Sequence, residues 1–406
     1  MAVEKQIPTG GESVLRFEDV TFNWNENKHI LSEANFVVRK GAKLTLMGPN
    51  GAGKSTLFSL ITAERKPEEG RVIMGSDLHV AIAKQFIPHT QWELTVREFL
   101  EKSFDEKIYD IDKRAKEIFA VVQLNVPVEK KIKELSGGQK GRLLIAAALI
   151  QKPDILLLDE PTNNLDKAGI ALLTDFLKNY EGTVLVISHD APFLNSFTHG
   201  VLYINTQNFK VEQYVGNYYK VVEDIKRQVE REQRANAQLE KEIISNKEKV
   251  NFFAHKGGKM RKLAAKLKDE VEEMEDEKVD VRKEDKTIKP FTINCQEDIG
   301  SVIVQFESVE VLHDGEPVKR NVNLELRKGD KLHITGPNGI GKTTLLEKIA
   351  KRTEKGVSVQ EGINIGYYRQ DFSTLDFDKS AYQELAHILK RLDDQLVRRT
   401  AASMLL

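Results

Sequence analysis

The run Gly48-Pro49-Asn50-Gly51-Ala52-Gly53-Lys54-Ser55, followed by Thr56, has the spacing G-x-x-x-x-G-K-[ST]. Glycines at these positions let backbone N–H groups close around phosphate oxygens without Cβ clashes. A helix opening at Ser55 adds the partial positive charge of its N-terminus to the same spot. In that setting Lys54 is placed for β- and γ-phosphates, and the Ser55 hydroxyl for Mg²⁺. The pattern requires an apolar strand before it and a helix after it; residues 44–47 and 55–62 read that way. One such match is also compatible with a glycine-rich turn and a chance lysine. A second match, Gly336-Pro337-Asn338-Gly339-Ile340-Gly341-Lys342-Thr343 followed by Thr344, disposes of that alternative.

Two further places can supply phosphate chemistry. Residues 155–158 are apolar and end in Asp159 and Glu160. Such a run suits a buried parallel strand, whose carboxyl end is where ligands gather. Asp159 would hold Mg²⁺ through its water shell, and Glu160 would polarise an attacking water; a strand end capped by solvated acids is the competing reading. Residues 183–188 form a similar run that ends at His189. There the imidazole either contacts a γ-phosphate or serves as a structural hydrogen-bonding group.

The elements that carry these residues occur twice. Lys342 follows Lys54 at an offset of 288 residues, with Arg39-Lys40-Gly41 matching Arg327-Lys328-Gly329. Gln370 likewise corresponds to Gln85. The chain therefore reads as a tandem duplication of one α/β domain, with a first copy at about 1–215 and part of a second at about 291–406. Between them, about 216–290, long polar and charged residues dominate, and apolar residues such as Leu239, Ile243 and Val250 recur at helical spacing. Two antiparallel helices of roughly 30 residues each, turning near His255 to Lys259, would reach about 45 Å. Pro290 would end the helical segment.

Composition narrows the classes. The 406 residues carry 61 Lys and Arg against 62 Asp and Glu, a net charge of −1, so a general polyanion-coating role is disfavoured and any nucleic-acid contact is local. The longest apolar run, 143–150, is far short of the ~20 residues a bilayer span needs. The single cysteine, Cys295, leaves no internal disulfide and no cysteine-rich zinc or iron–sulfur site held by this chain alone. With no apolar signal core in the first ten residues, a cytoplasmic setting is expected.

The chain resembles the ATP-binding cassette superfamily. Leu135-Ser136-Gly137-Gly138-Gln139, between the glycine loop and the Asp159–Glu160 pair, matches its signature motif. Physically this is a serine and glycine amides at a helix start, aimed at phosphate. The resemblance implies a P-loop nucleotide-binding fold, ATP and Mg²⁺ as ligands, and ATP hydrolysis. It assigns Gln85 and Gln370 as Q-loop glutamines and Asn163-Asn164-Leu165-Asp166 as a D-loop. It gathers Ser55, Gln85 and Asp159 around Mg²⁺ in the first copy, and Thr343 in the second. It aligns Trp24 with an aromatic that stacks on adenine, a core indole being the alternative; His313 holds the equivalent position in the second copy.

Within the superfamily the chain is similar to the ABC-F proteins: two cassettes in one chain, no transmembrane segment, and a charged helical linker. That resemblance implies action on the ribosome, with the linker contacting the peptidyl-site tRNA. Residues 251–268 carry no acid, and they include Lys256, Lys259, Arg261 and Lys262 beside Phe252, Phe253 and His255. Such a tip can pair with RNA phosphates and stack on bases. A solvated hairpin whose arms satisfy each other's charges is the other reading.

The offset puts a second signature at about residue 421, a second acid pair at about 444–448 and a second switch histidine at about 475. All lie past Leu406, and residues 380–406 read as one helical run. In the superfamily each ATP lies between one domain's glycine loop and the other's signature. The expectation is therefore a truncated second copy, less stable than the first, and ATP binding with weak hydrolysis unless two chains pair their first domains. Three other readings are an ATPase subunit for a separate membrane transporter, a DNA-repair cassette, and a non-hydrolysing nucleotide-binding module.

Overall fold

The computed structural model describes residues 11–25, 28–104, 106, 108–163, 165–254, 259–276, 296, 299–313, 316–336, 340–368, 376, 378–388 and 393–404. The chain divides into two compact units, Met1–Glu284 and Asp285–Leu406.

In the first unit, β1 (Ser13–Asn25) pairs antiparallel with β2 (Lys28–Arg39) on one side and β4 (Glu69–Met74) on the other. Beside this small sheet lies a six-stranded one, ordered β5-β6-β7-β3-β8-β9. Its strands are β3 (Lys43–Met47), β5 (Val80–Ala83), β6 (Ile155–Asp159), β7 (Thr183–Ile187), β8 (Gly200–Ile204) and β9 (Val211–Val215). The first five in that order run parallel and β9 is antiparallel to β8. The carboxyl ends of β3, β6 and β7 thus share one edge, where ligands of open α/β sheets collect.

The apolar runs read from sequence are continuous because both sheet faces are covered. Ile155 and Leu157 of β6 join Phe17, Phe58 and Leu185 on one face. Leu156 and Leu158 join Leu149, Leu173 and Phe193 on the other. The helices on this second face are α4 (Gly137–Leu149), α5 (Lys167–Asn179) and α6 (Ala191–Phe197). On the first face, α1 (Lys54–Ile61) buries Leu57, Phe58, Leu60 and Ile61. A helical layer adds α2 (Val96–Glu101) and α3 (Ile111–Val122) around Leu100, Ile111 and Ile132. Helix α4 belongs to both cores: Leu143 and Ala146 face the helical layer, Ile145 and Leu149 the sheet.

The linker helices group with this unit. Helix α7 (Tyr218–Ala254) packs Val221 and Ile225 on Val201 of β8, then continues as one arm of an antiparallel pair with α8 (Lys259–Asp276). The described helices are 37 and 18 residues long, and residues 277–290, which the expected second arm of about 30 would include, lie outside the described residues. Of the expected turn at His255 to Lys259, residues 255–258 lie outside the described residues, as does Pro290, and Lys259 opens α8. Beyond its base the pair buries Ile243 and Val271.

The second unit repeats the small sheet as β11 (Glu316–Arg327), β10 (Val302–His313) and β12 (Val357–Val359) in that spatial order, followed in space by no parallel sheet among its described residues. Helix α9 (Lys342–Ala350) corresponds to α1 but has no fully buried residue. Residues 331–336, the counterparts of β3, form no ladder, and Leu332 is 43% exposed. The reason is non-local: β3 is held between β7 and β8, and no described strand flanks 331–336. The single helical run read over 380–406 is two helices, α10 (Ala381–Ile388) and α11 (Asp394–Ser403), the second capped by Asp393 accepting from Leu396 N–H.

Candidate functional site

A cleft of about 390 Å³ opens at the carboxyl ends of β3, β6 and β7, within the size range of small-ligand sites. It is lined by Trp24, Asn50, Gly51, Gly53, Lys54, Ser55, Thr56, Gln85, Asp159, Glu160 and His189, together with Lys28, Ile30 and Ile187. Gly48 and Ala52 complete the loop, Ala52 buried and Gly48 at φ 154°. Gly53 caps α1 at φ +96°, and a Cβ there would come within 2.2 Å of Ile30 Cγ2. Only glycine fits both constraints.

The Lys54 ammonium donates to the carbonyls of Gly48 at 2.6 Å and Pro49 at 3.1 Å, which hold it over the loop. Ser55 Oγ donates to Asp159 Oδ2 at 3.2 Å, across 104 residues of sequence. Burial pushes the Asp159 carboxyl up, and the Ser55 hydroxyl and Lys54 charge pull it back. Two hard oxygen donors side by side, one on a half-buried carboxylate in need of a cation, fit Mg²⁺. No group of three or more His, Cys, Asp or Glu that could hold a metal ion is found among the described residues.

Glu160 follows the end of β6 in the left-handed region at φ +50°, with its N–H donating to Ile187 O at 2.8 Å. That turn carries the side chain into the cleft, where it is 9% exposed. His189 Nε2 lies 3.2 Å from Glu160 Oε1, whereas Oε2 is buried with no hydrogen-bond partner among the described residues. Burial raises the Glu160 carboxyl, the His189 side chain and N–H lower it, Asp159 raises it further, and Lys54 lowers it. A desolvated carboxylate with one oxygen unengaged is suited to accept a proton from water.

Trp24 is 45% exposed at the cleft, so the core-indole alternative does not describe it. Its Nε1–H donates to Thr56 Oγ1 at 3.1 Å, and the Arg65 guanidinium lies 3.9 Å from its ring centroid. No local sequence pattern marks Lys28, Ile30 and Arg65. They belong to no motif and reach the site through the β1–β2 pairing and the turn after α1.

Ser136, Gly137, Gly138 and Gln139 do not line this cleft. They open α4, where Ser136 Oγ accepts from Gln139 N–H at 3.3 Å and Gln139 Oε1 accepts from Ser136 N–H at 3.0 Å. This capping box leaves Gly137 open, with nothing within 4 Å of a notional Cβ. Asp166 caps α5 through Gly169 N–H and accepts from Arg142 of α4 at 3.2 Å. Asn163 is exposed, and Asn164 lies outside the described residues.

In the second unit Lys342 Nζ donates to Gly336 O at 2.7 Å, the same bond that Lys54 makes. Gly341 caps α9 at φ +100°, and Ile340, Thr343 and Thr344 are described around it. Pro337, Asn338, Gly339 and Gln370 lie outside the described residues, as does the His313 side chain. At the linker tip Lys262 is exposed; Lys256 and the side chains of Lys259 and Arg261 lie outside the described residues.

The profile of the ABC transporter family matches residues 31–163 and 319–402. A Bacillus subtilis protein named "Uncharacterized ABC transporter ATP-binding protein YfmM" is 29% identical, over 88% of this chain and 76% of its own. "Energy-dependent translational throttle protein EttA" of Mycobacterium tuberculosis is 27% identical over 88% and 70%. "Ribosome protection protein VmlR" of Bacillus subtilis is 28% identical over 87% and 65%. This chain spans roughly two thirds to three quarters of those relatives. No described helix is long and apolar enough to cross a membrane.

Proposed function

The chain belongs to the ATP-binding cassette family, with the ABC-F proteins, and from that premise we propose that it binds and hydrolyses MgATP in the Lys54 cleft and acts on the ribosome. The observation that carries the first part is the convergence of Lys54, Ser55, Asp159, Glu160 and His189 on one cleft from three parallel strands. The names of two relatives, a translational throttle and a ribosome protection protein, support the second.

The geometry supports the following division of labour. Loop amides and the α1 N-terminus grip phosphate oxygens, and Lys54 adds charge-assisted bonds. Ser55 and Asp159 would hold Mg²⁺, with Gln85 at the cleft edge, and the ion would supply charge neutralisation at the phosphate oxygens. Glu160 orients water and takes its proton, and His189 steadies the Glu160 carboxylate and the γ-phosphate side. Trp24 offers a stacking face for adenine.

Ser136 to Gln139 stand outside the cleft, so a signature has to approach from another surface. A second copy of the first unit can supply it in a head-to-tail homodimer. Size-exclusion chromatography with MgATP then gives a dimer that Ser136→Arg abolishes; a monomer that hydrolyses ATP at a concentration-independent rate refutes the pairing.

The basic stretch around Lys262 is proposed to face tRNA or rRNA. Changing Lys256, Lys259, Arg261 and Lys262 to Glu should remove co-sedimentation with ribosomes at physiological salt. Undiminished binding by that variant overturns the RNA-facing tip and leaves the ATP site untouched.

A further inference from the structure

Trp92 lies outside the cleft and in no motif. The segment that leaves Gln85 at the cleft edge folds back over residues 89–91, and the Trp92 Nε1–H donates to Ile87 O at 3.1 Å. His89 packs on the indole with ring centroids 3.9 Å apart. On the same indole sits the Lys140 ammonium, 3.8 Å from the ring centroid. Lys140 is the residue after Gln139, whose side chain fixes the Ser136 backbone.

The neighbouring backbone reinforces this link. Lys133 N–H donates to Trp92 O at 3.0 Å and Ile132 N–H to Leu94 O at 3.0 Å. Glu93 pairs with Lys133 at 2.8 Å and Lys131 at 3.2 Å. Those exposed ion pairs add little by themselves. A cation over a half-buried indole is firmer and directional. Gln85 and the signature turn are therefore joined on both flanks, through the strand-like contacts before Ser136 and through the indole after it.

We infer that Trp92 is a positioning residue: its stack with Lys140 ties the Gln85 segment to the α4 N-terminus and sets where Ser136 points when nucleotide fills the Lys54 cleft. The inference rests on the ATP-binding reading of that cleft. Trp92 is not among the residues that line the cleft, so its effect appears in turnover and not in nucleotide affinity.

The chain contains 2 tryptophans, so Trp24→Phe leaves Trp92 as the sole indole reporter. In that full-length background, saturating MgATP should change Trp92 emission, and adding Gln85→Ala should remove the change at MgATP concentrations where retention of radiolabelled ATP shows the variant to be saturated. With both tryptophans present, Trp92→Leu and Lys140→Met should each lower kcat by roughly tenfold with KM for ATP within about twofold, since small misplacement of a positioned group costs rate. Trp92→Phe, which keeps an aromatic face, should retain at least about half the activity. Bound ATP without an emission change, or a response that persists after Gln85→Ala, overturns the inference alone. So does a Trp92→Leu variant with unchanged kcat. Failure of the parent chain to bind ATP overturns the cleft reading and the inference with it.

Discussion

His189 Nε2 stands 3.2 Å from Glu160 Oε1 across the carboxyl ends of adjacent strands β7 and β6. The imidazole is largely exposed and the carboxylate almost fully buried, so the histidine is the solvent-facing half of a pair whose acid faces the cleft. One carboxylate oxygen is engaged and the other has no partner among the described residues.

Glu160→Gln keeps the shape of the side chain and removes its basicity. Hydrolysis should fall by about 10²- to 10⁴-fold, the usual worth of a general base, with ATP still retained on a filter. His189→Ala should lower the rate less, because the Glu160 carboxylate remains. Loss of ATP binding in Glu160→Gln would assign the residue a structural role instead.

Asp159 and Glu160 both have carboxyls raised by burial. A raised acid favours the folded state when protonated, so this contribution is present below about pH 4, the unfolded carboxyl range, and is lost as pH rises through the folded values. Without nucleotide, Asp159→Asn and Glu160→Gln should therefore each stabilise the chain near pH 7.5 by about 1 kcal/mol, the gain fading toward pH 4. Thermal melts at both pH values measure it; equal gains at the two would refute the assignment to charge burial.

Gly53 and Gly341 share a left-handed conformation but not surroundings. A Cβ on Gly53 meets Ile30 Cγ2 at 2.2 Å, whereas Gly341 has nothing within 4 Å. Gly53→Ala should cost roughly 2–4 kcal/mol, strain plus overpacking. Gly341→Ala should cost only the strain, ~1–2 kcal/mol. Separate denaturation transitions of the two units would report each change.

Trp24→Ala removes the stacking face and the bond to Thr56. ATP affinity should weaken by about 5- to 100-fold, equivalent to ~1–3 kcal/mol for one base–aromatic stack, with adenosine-free triphosphate binding unaffected. Isothermal titration of both ligands distinguishes base recognition from collapse of the loop.

The second unit buries little: α9 has no buried residue, and Leu332 and Leu346 are 43% and 44% exposed. It should open at lower denaturant than the first unit. Limited proteolysis is expected to cut first within 328–336, leaving a first-unit fragment intact; cleavage starting in β6 or β7 would contradict this.

Local chemistry was legible in the residues alone. The glycine loops, the apolar runs of β3, β6 and β7, and the helix starts beside the glycine loop and the signature depend on spacing, backbone freedom and periodicity, all of which act over a few positions. The duplication and the charged linker were visible for the same reason. What required the tertiary structure was every relation set by strand order. Ser55 meets Asp159 because β7 alone separates β3 from β6. Ile30 closes on Gly53, Arg65 covers Trp24, and Lys140 stacks on Trp92 through pairings no local pattern encodes. Residues 331–336 have the local composition of β3 and still form no strand, because no strand among the described residues completes their hydrogen bonds.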